Sequence, residues 1–189
     1  MPSKTGQTQQ QRRQQTRQAV LDSARQCFAA RGYQDTSLDD IAAACQLTTR
    51  PVYHYFGSKQ GLFEAVATEL ENRLADAIAA IDRQRPDYLQ AIWQLFITTC
   101  KQTEFRRIVL LEAPLILGRQ RWQDNNVVDL ASGILSQRLQ QLPPAEAGMI
   151  VRMALVALAE AALMIAEADD SDSAIEAANR IAERLLALF

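Results

Sequence analysis

A single histidine, His54, stands among the 189 residues. That scarcity excludes His-rich metal sites and most Ser/His or Cys/His catalytic triads. The chain also lacks a Gly-rich phosphate-cradling loop and a nucleophile elbow, so it is expected to be no enzyme and to need no metal or cofactor. The three cysteines Cys27, Cys45 and Cys100 are an odd number without Cys-x-x-Cys spacing, which fits reduced thiols in the cytoplasm rather than a disulfide framework. Cys27 and Cys45 fall on apolar helical faces, while a redox role for Cys100 is left open. The N-terminus has no apolar signal-peptide core. The longest apolar run, Met153 to Ala159, is closed by Arg152 and Glu160 and is too short to span a bilayer, so no membrane partner is expected. Strand signals are missing as well: no alternating β-branched run is bounded by turn pairs.

What is present favours helix. Ala, Leu, Gln, Arg and Glu dominate, with only seven glycines and six prolines. The length and a hydrophobic share of 48% suit one or two compact units with a real core. Net charge is −2, but it is unevenly spread. Residues 1–60 carry eight basic groups against four acids, a net +4, and the remainder carries twelve against eighteen, a net −6. A basic head on an acidic body suggests that the head alone meets a polyanion, although chance clustering would look the same.

Residues 1–15, polar and Gln-rich, are expected to form a disordered arm or a loose helical extension. Val20, Leu21, Ala24, Cys27 and Phe28 recur at helical spacing, and Gly32 ends that helix. Ser37 and Asp40 then form a capping-box-like pair for a short second helix with Leu38, Ile41, Ala42 and Cys45 on one face. Gln46-Leu47 makes a turn, Thr48 is placed to cap a third helix, and Pro51 sits in its first turn, where a missing N–H costs nothing. Gly57 stops it. Ser58 opens a long connecting helix, 58–83, striped by Leu62, Phe63, Val66, Leu70, Leu74 and Ile78. Further helices follow: one after Pro86-Asp87, another from Phe105 to Ala113 broken at Pro114, a third from Val127 to Leu142, a fourth from Pro143-Pro144 to about Ala168, and a last one capped by Ser171 or Ser173 after the polar turn at Asp169-Asp170. The expected fold is therefore all-α, with about nine helices: a head over 16–60 and a body over 84–189.

The span Ser37 to Phe56 has helix-turn-helix spacing, in which the second helix of the motif enters the DNA major groove. Thr48, Thr49, Arg50, Tyr53, His54 and Tyr55 are its polar or amphipathic positions. Arg50 can pair bidentately with a guanine edge, and Thr or Tyr hydroxyls can donate to phosphate. Ser58-Lys59 places a helix N-terminus and a cation directly after the recognition helix, an arrangement that suits an anion. Thr36, just before the motif, could reach a phosphate on the opposite strand. Arg12, Arg13 and Arg17 could reach backbone or minor groove, or belong to a solvated tail. An αα corner inside a helical bundle would show the same helix spacing.

The residues from Ala24 to Val66 resemble the tetracycline-repressor (TetR) family. The matching features are Phe28, Gly32-Tyr33, Thr36-Ser37, Ile41-Ala42, Tyr53, Phe56, Ser58-Lys59 and Leu62-Phe63. Position 48 is often serine in that family, and Thr48 keeps the hydroxyl. The resemblance implies phosphate contacts from Thr36, Tyr53 and Lys59 and base contacts from the third helix. It also implies a homodimer joined through the last two helices of each subunit, with Met149, Met153, Ala157, Met164, Ile175, Ala182 and Leu185 as candidates. A small-molecule effector site would lie in the body, where Trp93, Phe96, Phe105, Arg106, Glu112 and Trp122 are the candidate lining. The expected function is a ligand-responsive DNA-binding regulator, usually a repressor, acting on a near-palindromic operator. The competing readings are a helical small-molecule binding or scaffold protein without DNA function, and an enzyme on a helical bundle.

Overall fold

A computed structural model describes residues 8–118, 124–168, 171–187 and 189. Trp122 and the Asp169-Asp170 turn lie outside the described residues. Among those described there is no strand, and the chain divides into two compact units, 1–66 and 67–189.

The first unit is built by local caps around one small core. Helix α1 spans Gln9–Arg31. The Thr8 hydroxyl accepts the Gln11 N–H at 3.2 Å while the Gln11 side-chain carbonyl accepts the Thr8 N–H at 2.8 Å. This reciprocal pair satisfies two of the donors that every helix start leaves orphaned. The arm expected over 1–15 is thus helical from Gln9 onward, and Arg12, Arg13 and Arg17 lie within α1 rather than on a tail before it. Gly32, at φ +84°, closes α1 with its N–H on the Phe28 carbonyl at 2.8 Å. Helix α2, Leu38–Ala44, starts on the Ser37/Asp40 capping box, with both bonds at 3.0 Å. Gln46, at φ +57°, makes the turn into α3, Thr49–Phe56. Gly57, at φ +73°, ends α3, and Ser58 accepts the Gly61 N–H at 3.0 Å at the start of α4, Lys59–Ala79. Val20, Ala24, Phe28, Ile41, Val52, Leu62 and Phe63 fill the core with no exposure. A buried hydroxyl joins α1 to α2: Ser23 donates to the Ile41 carbonyl at 2.8 Å.

Helix α4 ends at Ala79, four residues short of the expected Arg83, so its 21 residues extend about 31 Å. The second unit contains α5 (Tyr88–Cys100), a π-helix (Phe105–Glu112), α6 (Ala113–Ile116), α7 (Asn126–Arg138), α8 (Pro144–Glu167) and α9 (Ser171–Leu186). The π-helix replaces an expected α-helix. Pro114 has no N–H to give, and its ring would press on the carbonyl four residues back. The turn before it is widened, and the Ala113 N–H reaches the Ile108 carbonyl, five residues back. Trp93, Ile97, Ile165, Ala178 and Ala182 bring α5, α8 and α9 into one core, while Leu135, Leu139, Val151 and Ala154 join α7 to α8. The Trp93 indole N–H donates to the Asn179 side-chain carbonyl at 2.7 Å, so this buried aromatic keeps its polar edge satisfied. Over 18 residues α8 has mean hydropathy 2.1 and is 28% buried. By length and composition it could cross a membrane, because the apolar character continues beyond the Met153–Ala159 run on both sides of Arg152 and Glu160.

Candidate nucleic-acid interface

The face of α3 follows from its register. Val52 is fully buried and anchors the helix to the α1–α2 core. Arg50, Tyr53 and His54, three and four residues apart, consequently point to solvent, with Tyr53 57% exposed. Thr48 occupies the cap position without a side-chain cap bond, which leaves its exposed hydroxyl available. Thr49 and Tyr55 are half-buried, and the Tyr55 ring meets His54 edge-on at 5.0 Å. Together these residues present one guanidinium, one imidazole and several hydroxyls on a helix supported from behind.

Lys59 is held, rather than free to sweep. Its Nζ donates to the Gln34 carbonyl at 3.3 Å and stands 4.4 Å above the Tyr33 ring. A cation over an aromatic face is attracted by the ring quadrupole. Tyr33 in turn packs edge-on against Phe63 at 5.1 Å, so the lysine rests on the core. Lys59 and Tyr53 line the same shallow depression, together with Ser37 and Ser58. Arg17 is likewise fixed, its guanidinium lying 5.3 Å from the Phe56 ring centre.

Thr36 departs from expectation. Its side chain is fully buried and donates to the Gly32 carbonyl at 2.7 Å. That hydroxyl braces the α1–α2 corner and does not face a phosphate. A threonine at a helix corner is polar in sequence whichever way it turns, so only packing decides the direction. The acids beside it are engaged: Asp40 is held below the usual carboxylate range, chiefly by the Ser37 N–H, and lies 3.5 Å from Arg31.

A separate cavity of about 850 Å³ lies within the second unit. Trp93, Phe96 and Phe105, three of the candidate effector-lining residues, stand on its wall. Arg106 and Glu112 are not among its lining residues: the Arg106 guanidinium donates from both Nε and Nη2 to the Ala166 carbonyl near the end of α8. Trp122, the sixth candidate, is outside the described residues. Sequence reasoning missed Glu71, which is 3% exposed and faces the cavity from α4. Its spacing to Leu74 and Ile78 places it on their stripe, a signal that the apolar pattern masked. Cys100 is buried, and burial pushes its thiol up to about 12, which removes the thiolate that redox chemistry needs. Among the described residues no group of three or more His, Cys, Asp or Glu is placed to hold a metal ion.

The candidates for subunit contact separate by exposure. Met149, Met153, Ala157 and Met164 are exposed along α8. Ile175 and Leu185 are half-buried on α9. Ala182 is 1% exposed and packs inside its own subunit's core, so it is withdrawn as an interface residue; its neighbour Ile181 faces solvent instead.

Residues 20–66 match the family of bacterial regulatory proteins, tetR family, and residues 87–188 match the tetracyclin repressor-like C-terminal domain. A crystal structure of a TetR-family transcriptional regulator from Pectobacterium atrosepticum superposes with a TM-score of 0.73 at 30% identity, covering 95% of this chain and 96% of that one. The HTH-type transcriptional regulator AlkX of Mycobacterium tuberculosis is 28% identical over 77% of this chain and 61% of its own length. The HTH-type transcriptional repressor AcnR of Corynebacterium glutamicum is 34% identical over 34% of each chain, so the match spans less than two thirds of either curated relative.

Proposed function

The chain belongs to the TetR family of bacterial regulatory proteins, and on that footing we propose that it is a cytoplasmic, ligand-responsive repressor that binds a near-palindromic operator as a homodimer. The observation that carries the DNA reading is the exposed α3 face, Arg50, Tyr53 and His54, beside a lysine locked in place on Tyr33. Arg50 has the donor geometry for a guanine edge; Lys59, Tyr53 and Thr48 supply phosphate contacts that orient the helix without reading sequence. The cavity in the second unit is the effector site, and its predominantly apolar lining favours an apolar molecule. Induction requires the effector to bind one arrangement of the dimer more tightly than the operator-binding one, since equal affinity for both shifts nothing. No catalytic role is assigned.

A gel-shift series on the DNA upstream of the chain's own gene, run at several salt concentrations, tests this. Sequence-selective binding that weakens steeply with salt is expected. Binding to no DNA, with an apolar probe still entering the cavity, would instead favour a helical binding protein without DNA function.

Two substitutions separate reading from anchoring. Arg50→Ala is expected to lower operator-over-random discrimination by about 10–100-fold while leaving random-DNA binding nearly unchanged. Equal loss on all sequences would remove Arg50 from base readout. Lys59→Ala should weaken every DNA alike and reduce the salt slope by about one counterion. An unchanged slope would show that Lys59 meets no phosphate.

A further inference from the structure

Three residues of the π-helix stand on the cavity wall: Phe105, Val109 and Leu110. All three are buried. An α-helix would not turn them to one side. At about 100° per residue it places Val109 about 40° from Phe105 but Leu110 about 140° away, and it brings Glu112 back to within about 20° of Phe105. A π-helix bonds five residues back, so a full turn takes more residues, and positions four and five on share a face. The observed register thus puts Leu110 on the wall and keeps Glu112 off it. The α-helix that the sequence suggests over this span would exchange the two, setting a carboxylate where the leucine now stands.

The register is fixed from both ends. At its start the Arg106 guanidinium donates to the Ala166 carbonyl, from Nε at 2.7 Å, and ties the first π turn to the end of α8. Just past its far end Pro114 is the second residue of α6. In a continuous α-helix the Pro114 ring would press on the Leu110 carbonyl, and its nitrogen has no hydrogen to donate there. The Ala113 N–H meets the Ile108 carbonyl instead. Such helices mostly occur as single turns, frequently at functional sites. This one runs for eight residues, and its register decides which side chains meet the cavity.

Resting on the effector reading above, we infer that Pro114 is a positioning residue of the effector site. It does not line the cavity itself. It acts through the backbone, by holding Phe105–Glu112 in the π register. That register presents an effector with Leu110 and turns the Glu112 carboxylate away, so it selects a molecule that lays an apolar part against this wall. An apolar group set against a carboxylate would strip it of water without replacing the lost hydrogen bonds.

The test uses full-length protein in four forms: wild type, Pro114→Ala, Glu112→Leu and the double variant. Nile red, a neutral apolar dye, is titrated into each, and circular dichroism with thermal melting reports the fold. Alanine is the strongest helix former and supplies the missing donor. Pro114→Ala is therefore expected to stay folded, with a melting temperature no lower than wild type, while Nile red affinity falls at least about tenfold. Glu112→Leu alone should leave the affinity within about twofold, because residue 112 is off the wall in the π register. In the double variant residue 112 returns to the wall as an apolar side chain, and the affinity should recover to within about threefold of wild type. A general packing defect at Pro114 would not be repaired by Glu112→Leu. Wild-type affinity in Pro114→Ala would overturn the inference and leave the effector reading standing. Unfolding of Pro114→Ala would overturn it too, since a residue that only sets register is dispensable for folding. So would a double variant that binds as poorly as Pro114→Ala, or an equal gain from Glu112→Leu in both backgrounds. A wild type that takes up no Nile red would overturn the apolar effector cavity itself, and this inference with it.

Discussion

Phe28→Ala is expected to abolish operator binding by unfolding the DNA-binding unit while the second unit stays folded. Phe28 has no exposed surface and sits at the centre of an aromatic cluster, 5.2 Å from Phe63 and 6.0 Å from Tyr33 between ring centres. Truncating a buried Phe to Ala removes its transfer free energy and leaves a cavity, together costing about 3–5 kcal/mol. The unit holding that core spans residues 1–66, and domains of such size have only about 5 kcal/mol in reserve. The same cluster positions function, because Tyr33 supports the Lys59 ammonium from below. Thermal unfolding should lose its head transition, operator binding should vanish in gel shifts, and Nile red should still enter the cavity of the second unit. Phe28→Leu, which keeps most of the volume, should cost below about 1.5 kcal/mol and retain binding. Wild-type operator affinity in Phe28→Ala would show that the head does not depend on this cluster.

Local features of the head were legible because they are decided within a few residues. The Ser37/Asp40 box, the stops at Gly32 and Gly57 and the inward position of Val52 all depend on short-range spacing, and each is where the pattern places it. The start of α1 was less visible. Residues 9–15 carry no apolar periodicity, and the signal that sets the boundary is the Thr8/Gln11 pair. Thr36 shows the limit of residue type as a guide: one hydroxyl serves a phosphate or a carbonyl equally well, and burial chose the Gly32 carbonyl.

In the body, the sequence pattern identified helices but not the space between them. A cavity is what five or six elements fail to fill, so its aromatic walls Trp93, Phe96 and Phe105 could be guessed and Glu71 could not. The widened turn at Phe105–Glu112 arises from Pro114 meeting a helix that packs on both sides, which periodicity does not encode. Ala182 against Ile181 is a matter of phase: one residue is about 100° of helix rotation, enough to exchange core for surface.

Gly61→Ala tests whether the recognition helix is held from behind by the start of α4. In most helix interiors this change stabilises, by about 1 kcal/mol. At position 61 the added Cβ would fall well inside contact distance of the Phe56 carbonyl oxygen, with the Phe56 carbonyl carbon at 3.4 Å and Ser58 Oγ at 3.5 Å. The obstructing atom is backbone at the last residue of α3, so no rotamer change can clear it. Either α4 must tilt or α3 must move, and such overpacking costs about 1–3 kcal/mol, outweighing the propensity gain. Displacing α3 also misplaces Arg50 and Tyr53 relative to Lys59. Operator affinity should therefore fall toward the random-DNA level, a loss of about a thousandfold or more, and the melting temperature should drop only modestly. Gly133→Ala provides the opposite case, because nothing lies within 4 Å of its added Cβ in the middle of α7. That variant should raise thermal stability by about 1 kcal/mol and leave DNA binding intact. If Gly61→Ala behaved as Gly133→Ala does, the close approach of α4 to the end of α3 would not set the position of the DNA-reading face.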